Sequence, residues 1–150
     1  MDFVCLRWNQ LPNIALYMDQ VLLVLNQSLE PLLGADGITG TMINNYVKMK
    51  LAQPAVKKKY DREHMARFAM ICLMKKVLSM AEIAAVIDRL LQDHTLETAY
   101  DLFCVELEYR LASPEGPDSA ACPKYLGMAV RAVACKILLE QDLLDDAAEL

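Results

Sequence analysis

The 150-residue sequence has little glycine, proline or aromatic content, and this scarcity limits the folds it can adopt. It contains 5 glycines and 6 prolines, and aromatic residues make up only 7%. Leucine, alanine and methionine are abundant instead, and these residues favour packed helices over sheets. Hydrophobic residues account for 55% of the chain and charged residues for 23%, which excludes a disordered protein and is enough for one core. The composition therefore predicts an all-α protein.

The five cysteines lack the spacing of a disulfide framework or a metal site. Their number is odd, they are scattered along the chain, and no two have C-x-x-C spacing. Cys72, Cys104 and Cys135 lie in apolar stretches that read as helices. We therefore expect them to be buried as free thiols in a reducing compartment.

Long hydrophobic runs are also missing. The longest apolar stretches, such as Phe68 to Met74, are far shorter than the roughly 20 residues that cross a bilayer. The first twelve residues lack the basic and then apolar regions of a secretion signal. These absences predict a cytoplasmic protein without a membrane partner.

Residues that carry catalysis are scarce. The chain has two histidines, His64 and His94, and no nucleophile elbow, phosphate-binding loop or metal-ligand spacing. His94 falls at the end of a predicted helix, where histidine commonly caps backbone carbonyls. We therefore expect no enzyme activity, no metal and no cofactor.

The charge is unevenly distributed along the chain. The net charge is −5, but residues 44–76 contain nine basic side chains and two acidic ones, giving this segment +7. The remainder must therefore carry −12, and much of it lies from Glu140 onward. A locally basic segment in an acidic protein suits contact with a polyanion, although a lysine run can also serve solubility alone.

Two helices are predicted before the basic segment. Apolar residues at three- and four-residue spacing predict a long helix from Asn13 to Leu33, ending at the turn chemistry of Gly34 to Gly37. Thr39 then has the position of an N-cap for a short helix from about Gly40 to Lys50. The residues assigned to the buried face of the first helix are Ile14, Tyr17, Met18, Val21, Leu22 and Leu25.

The short helix has one apolar and one polar face. Met42, Ile43, Tyr46 and Val47 form the apolar side, and the polar side consists of Thr41, Asn44, Asn45 and Lys48. Asparagine can form two hydrogen bonds with the major-groove edge of adenine, so this polar face suits base readout. An ordinary solvated helix face would look similar.

A basic hairpin is predicted after the short helix. Pro54 interrupts the helical pattern, and Val56 to Tyr60 reads as a small hairpin or wing that carries Lys57, Lys58 and Lys59. Asp61 can cap a third helix from Arg62 to Val77. This helix is apolar on almost every side, which places it in the middle of the domain.

Three further helices complete the predicted all-α fold. Ser79 and Glu82 have capping-box spacing for a helix to about Asp93, and Thr95 can cap another to about Ala112. A loop at residues 113–118 precedes the last helix, Lys124 to about Asp146. We divide the chain into residues 1–94, the DNA-binding region, and residues 95–150, helices that pack on the same core or form a dimer interface.

Four segments resemble a bacterial family known as a domain of unknown function. They are LPNIALYMDQV at residues 11–21, TMINNYVKMKL at 41–51, PAVKKKY at 54–60 and KKVLSMAEI at 75–83. The order of elements also resembles the winged helix-turn-helix of the MerR regulators, with Tyr46, Pro54 and Lys57 to Tyr60 at matching places. MerR proteins often have an arginine before the tyrosine of the second helix. This chain has Asn44-Asn45 there, so no base preference carries over.

The resemblance implies a transcriptional regulator that binds double-stranded DNA as a homodimer. It places the helix with Thr41, Asn44, Asn45 and Lys48 in the major groove, and the wing lysines on flanking phosphates. Lys57, Lys58, Lys59 and Arg62 complete the predicted DNA-binding set. The resemblance supplies no small-molecule effector. The alternative is an all-α protein-interaction module whose lysines serve solubility or an acidic partner.

Overall fold

The computed structural model describes residues 1–149, which form six α-helices and one small antiparallel sheet. The expected all-α class is confirmed in its main feature, with the two short strands as an addition. A 3₁₀ helix at Trp8–Gln10 precedes the strand β1 (Leu16–Tyr17), and the strand β2 (Lys59–Tyr60) follows the second helix. The helices are α1 (Met18–Leu33), α2 (Gly40–Lys48), α3 (Arg62–Met74), α4 (Met80–Asp93), α5 (Leu96–Ala112) and α6 (Lys124–Ala148).

The helix starts predicted from capping residues are confirmed. The Thr39 hydroxyl accepts the Met42 N–H at 3.3 Å, and the Asp61 carboxylate accepts the His64 N–H at 3.0 Å. Further along the chain, Ser79 and Glu82 form the reciprocal capping box at 3.1 and 2.9 Å, and the Thr95 hydroxyl accepts the Thr98 N–H at 3.2 Å. These bonds satisfy N–H groups that a helix start otherwise leaves unpaired.

The predicted start of the first helix is wrong. The helix begins at Met18, because Leu16 and Tyr17 are extended and pair with β2. Ile14, assigned to the buried face, is 66% exposed, and Tyr17 is also exposed. The apolar spacing continued through these residues, but pairing with a distant strand displaced the helix from them.

Several helix ends also differ from the predicted ones. The second helix ends at Lys48, because Lys50 adopts a left-handed backbone conformation with φ of 62°. The third ends at Met74, three residues before Val77, and the last continues past Asp146 to Ala148.

Helix α3 lies at the centre of one continuous hydrophobic core. Met70 and Ile71 on this helix have no exposed surface, which confirms its predicted central position. Helices α5 and α6 belong to the same core, through residues such as Phe103 and Val130. Cys72 and Cys104 are buried as expected, but Cys135 is exposed because it lies on the outer face of α6.

The N-terminal segment lies along α5. The Met1 ammonium group donates to the Leu111 carbonyl at 3.0 Å, and the Trp8 N–H donates to Asp101 at 2.8 Å. The chain therefore passes from the far end of α5 towards β1 before α1 begins. Within residues 1–149, no helix is long and apolar enough to cross a membrane.

Candidate nucleic-acid interface

Helix α2 presents the polar face that its sequence predicts. Ile43 and Tyr46 are buried, so this side of the short helix packs on the core. The opposite side is exposed to solvent and consists of Thr41, Asn44, Asn45 and Lys48. None of these four side chains forms a hydrogen bond or an ion pair with residues 1–149. The four predicted readout residues are therefore free to meet a ligand.

The predicted wing is a tight two-residue hairpin. The Val56 and Lys59 backbones exchange two N–H to carbonyl hydrogen bonds, at 2.9 and 3.0 Å. The two residues between them, Lys57 and Lys58, have φ values of 52° and 65°. Positive φ at both central positions defines a type I′ turn, which asparagine and glycine usually occupy. Both lysines are exposed at the tip of this turn.

Strand β1 holds the hairpin against the start of α1. Leu16 lies opposite Tyr60, and Tyr17 lies opposite Lys59. The Lys59 ammonium group is 5.1 Å from the centre of the Tyr17 ring, which is a cation–π distance. Lys59 is thus half-buried beside an aromatic ring, while Lys57 and Lys58 extend further into solvent.

His64 connects the loop before the hairpin to α3. Its Nε2 atom lies 3.0 Å from the Gln53 carbonyl, and its Nδ1 atom lies 2.8 Å from the Asp61 carboxylate. The imidazole is buried and meets the Tyr60 ring edge to face, with 5.2 Å between ring centres. Sequence analysis missed this contact, although the Asp61 to His64 spacing of a helix cap was a signal for it.

The environment of Asp61 favours its charged form. Partial burial opposes ionisation, but the hydrogen bond from the His64 N–H and the nearby imidazole outweigh it. The pKa of the Asp61 carboxyl therefore lies below its usual value. Asp61 thus remains an anion at neutral pH and caps α3 directly after the hairpin.

Arg62 has intramolecular partners, unlike the predicted DNA-binding residues of α2 and of the Lys57-Lys58 turn. Its guanidinium donates to the Leu11 carbonyl at 3.1 Å and lies 5.9 Å from the Trp8 ring centre. Arg67 similarly donates to the Leu51 carbonyl, at 3.4 Å. These two arginines hold segments of their own chain, so their guanidinium groups are less available to a ligand than the exposed lysines of α2 and the hairpin.

The last two lysines of the basic segment lie away from the hairpin. Lys75 and Lys76 follow α3, whose 13 residues separate them from Asp61 by about 20 Å along the helix axis. Lys76 forms an ion pair with Glu140 at 3.0 Å. The local charge of +7 is therefore spread over at least two places, and the exposed lysines of α2 and the turn form only part of it.

Comparison with known proteins gives a match to a family model that covers α2, the hairpin and α3. No curated protein and no solved structure matches the chain. Among residues 1–149, no group of three or more His, Cys, Asp or Glu side chains is placed to hold a metal ion. A family model does match residues 6–103, about two thirds of the chain, from the N-terminal segment through the hairpin into α5. The chain therefore belongs to the family described as a domain of unknown function (DUF1836).

Proposed function

We propose that this chain is a bacterial transcriptional regulator that binds specific double-stranded DNA through α2 and the Lys57-Lys58 hairpin. The observation that carries the proposal is that two consecutive elements, α2 and the hairpin, expose free polar groups. Helix α2 exposes Asn44 and Asn45 without intramolecular partners, and the hairpin that follows exposes two lysines at a fixed turn. Amides can read base edges, and lysines can neutralise phosphates.

The order of the elements supports a winged helix-turn-helix. A helix, a turn at residues 34–39 and a short helix with a polar face are followed by a basic hairpin, and then by α3 and α4. In this arrangement α2 would enter the major groove, and the hairpin would lie over the adjacent backbone as a wing. Such a regulator would act in the cytoplasm as a homodimer, and we assign it no enzymatic reaction and no cofactor.

The distribution of free charge refines which residues would contact DNA. Lys48, Lys57 and Lys58 are exposed, so we assign them to phosphates. Lys59 would make a weaker contact because it lies beside Tyr17. We assign Arg62 mainly to holding the N-terminal segment, because its guanidinium already binds the Leu11 carbonyl.

The test begins with selection of bound sequences from a random pool of duplex DNA, with the purified chain at moderate salt. Affinity for the selected site is then measured over a range of salt concentrations. Each phosphate contact contributes a slope of about 0.9 in log K against log salt. Lys57→Gln with Lys58→Gln should therefore flatten the slope by about 1.8, whereas the exposed Lys75→Gln should leave it unchanged.

Base readout is tested separately with Asn45→Ala. If Asn45 reads a base, the variant loses about 1 to 3 kcal/mol on the selected site and little on random DNA. Asn9→Ala, another exposed asparagine, is the control and should change neither affinity. Equal losses of Asn45→Ala on both DNAs would show that Asn45 only positions the protein.

An all-α protein-interaction module is the second candidate. The observation that favours it is the internal use of positive charge, because Arg62, Arg67 and Lys76 already bind groups of their own chain. A module of this kind would retain no sequence from the DNA pool. That result would overturn the proposed DNA-binding function.

A further inference from the structure

Helix α6 continues beyond the part of it that packs on the core. Its last buried residue is Ile137, and all described residues from Gln141 to Glu149 are exposed. The helical residues from Gln141 to Ala148, about 12 Å in length, thus extend past the core. A helix this long, surrounded by water, gains little stability from packing on its own chain.

An exposed apolar stripe runs along one face of this helix. Met128, Ala132, Cys135, Leu139 and Leu143 are separated by four, three, four and four residues, which places them on one side. Met128, Leu139 and Leu143 are 60%, 52% and 58% exposed. Near Met128 the stripe continues into an open groove of about 350 Å³ between α4 and α6. Contiguous apolar surface of this kind marks an interaction site.

The charges of α6 are separated along its length. Its basic residues, Lys124, Arg131 and Lys136, all precede its acidic residues, Glu140, Asp142, Asp145, Asp146 and Glu149. The helix dipole favours the opposite order, with acids at the N-terminus and bases at the C-terminus. The observed order therefore does not stabilise an isolated helix, and it complements a second copy that runs in the reverse direction.

We propose that α6 pairs antiparallel with α6 of a second copy of this chain, about a two-fold axis near Cys135. Reversal about this residue brings Met128 towards Leu143 and Ala132 towards Leu139 of the other copy. The small side chains near the axis let the two helices approach closely. A two-fold interface needs a self-complementary surface, which this stripe provides.

The same register matches the charges. Lys124 faces residues 146–149 of the other copy, which include Asp146 and Glu149. Arg131 faces Glu140, but these two residues already pair with Asp118 and Lys76 of their own chain, so Lys124 supplies the charge match. A parallel pair would instead place the acidic ends of both helices together, which is unfavourable. The pairing is inferred from α6 alone and requires no DNA, so it can be tested whether or not the proposed function holds.

The test is the oligomeric state of the full chain without DNA, measured by sedimentation over a range of concentrations. The wild-type protein should sediment as a particle with twice the mass of a single chain. Leu139→Glu and Leu143→Glu each remove two apolar contacts per dimer, and each should raise the dissociation constant about 100-fold or more. Leu144→Glu is the control, because Leu144 is 68% exposed on the other side of the same helix. It should change the constant by no more than a few fold.

Cross-linking tests the position of the axis. Cys135 is exposed and Cys122 is half-buried, whereas Cys5, Cys72 and Cys104 are buried. Each end of a short bis-maleimide reacts with one cysteine thiol. The reagent should therefore link two wild-type chains and fail to link two chains of the Cys135→Ser variant. The pairing is overturned if the wild-type chain is monomeric at all concentrations, if Leu139→Glu leaves the dimer intact, or if Leu144→Glu disrupts it equally. A monomeric chain would also remove the homodimer from the proposed function, whereas DNA binding itself is decided separately by the selection described above.

Discussion

Lys57 and Lys58 have a backbone conformation that disfavours residues with a Cβ atom. Their φ values of 52° and 65° lie in the left-handed region, which costs about 1 to 2 kcal/mol for each such residue. The conformation is maintained because Val56 and Lys59 are bonded to each other and Lys59 also pairs with β1. Strain of this kind concentrates at binding sites, where the side chain is needed for another purpose.

Replacing the two turn lysines by the preferred turn sequence should stabilise the protein. Lys57→Asn with Lys58→Gly should raise the free energy of unfolding by about 1 to 2 kcal/mol, because asparagine and glycine suit the type I′ turn. Urea unfolding measures this change. Under the proposed function, the same variant should bind duplex DNA more weakly, because it has lost two positive charges.

The charge-only variant separates the two effects. Lys57→Gln with Lys58→Gln keeps the strained conformation, so its stability should stay close to that of the wild type while its DNA affinity falls. If the asparagine-glycine variant were no more stable than the glutamine variant, the assignment of strain to this turn would be wrong.

At the scale of elements, the contact between the hairpin and α3 depends on Asp61 and His64. Asp61 caps α3 and lies beside the imidazole, which in turn contacts the Gln53 carbonyl. The hairpin has few hydrogen bonds of its own. Its orientation relative to α2 therefore depends on this buried cluster and on the pairing with β1.

The Asp61 cap should make stability fall in acid. The pKa of Asp61 is lower in the folded state than the value of about 3.9 in the unfolded chain. The folded state therefore binds fewer protons, and this contribution to stability is present above that value and lost as the pH falls through the folded pKa. Urea unfolding between pH 6 and pH 2 measures the loss.

Asp61→Asn should reduce the dependence on pH, because asparagine still caps the helix but does not titrate. Glu82 would keep part of the dependence, since the hydrogen bonds from Ser79 lower its pKa too. Asp88→Asn, at an exposed site on α4, should leave the profile unchanged. A profile for Asp61→Asn identical to that of the wild type would contradict the role given to this cap.

For the whole molecule, the single core around α3 makes folding depend on a few central positions. Ile71→Asp should unfold the chain, because Ile71 has no exposed surface and an unpaired buried charge costs several kcal/mol. The free energy of unfolding of a native protein is only about 5 to 15 kcal/mol. Ile71→Val should lose only about 0.5 to 1.5 kcal/mol. Circular dichroism during heating distinguishes the two variants. A cooperative thermal transition in Ile71→Asp would show that this site is less enclosed than the structure indicates.

The whole-molecule charge pattern shows why the site was only partly predictable. A count over residues 44–76 gives +7, but the fold directs Arg62 to the Leu11 carbonyl and pairs Lys76 with Glu140. The exposure of Asn44 and Asn45 could be predicted, because it follows from the spacing of Ile43 and Tyr46 on the opposite face. The partners of long basic side chains could not, because they depend on segments that are distant in sequence.

The sequence alone determined the features that depend on neighbouring residues. The caps at Thr39, Asp61, Ser79 and Thr95 form between residues three positions apart, and the hairpin closes over two residues. Such contacts require no other part of the chain, so local spacing predicts them.

Only the tertiary structure decided which surfaces remain free. Strand β1 exists because Leu16 and Tyr17 meet Lys59 and Tyr60, more than forty residues later, and this pairing overrides a local pattern that favours helix. Cys135 is exposed because the packing of α6 against the rest of the molecule determines which of its faces is buried. Hydrophobic burial is the dominant favourable term in folding and acts between any segments that meet, so their final arrangement is not encoded at any one position.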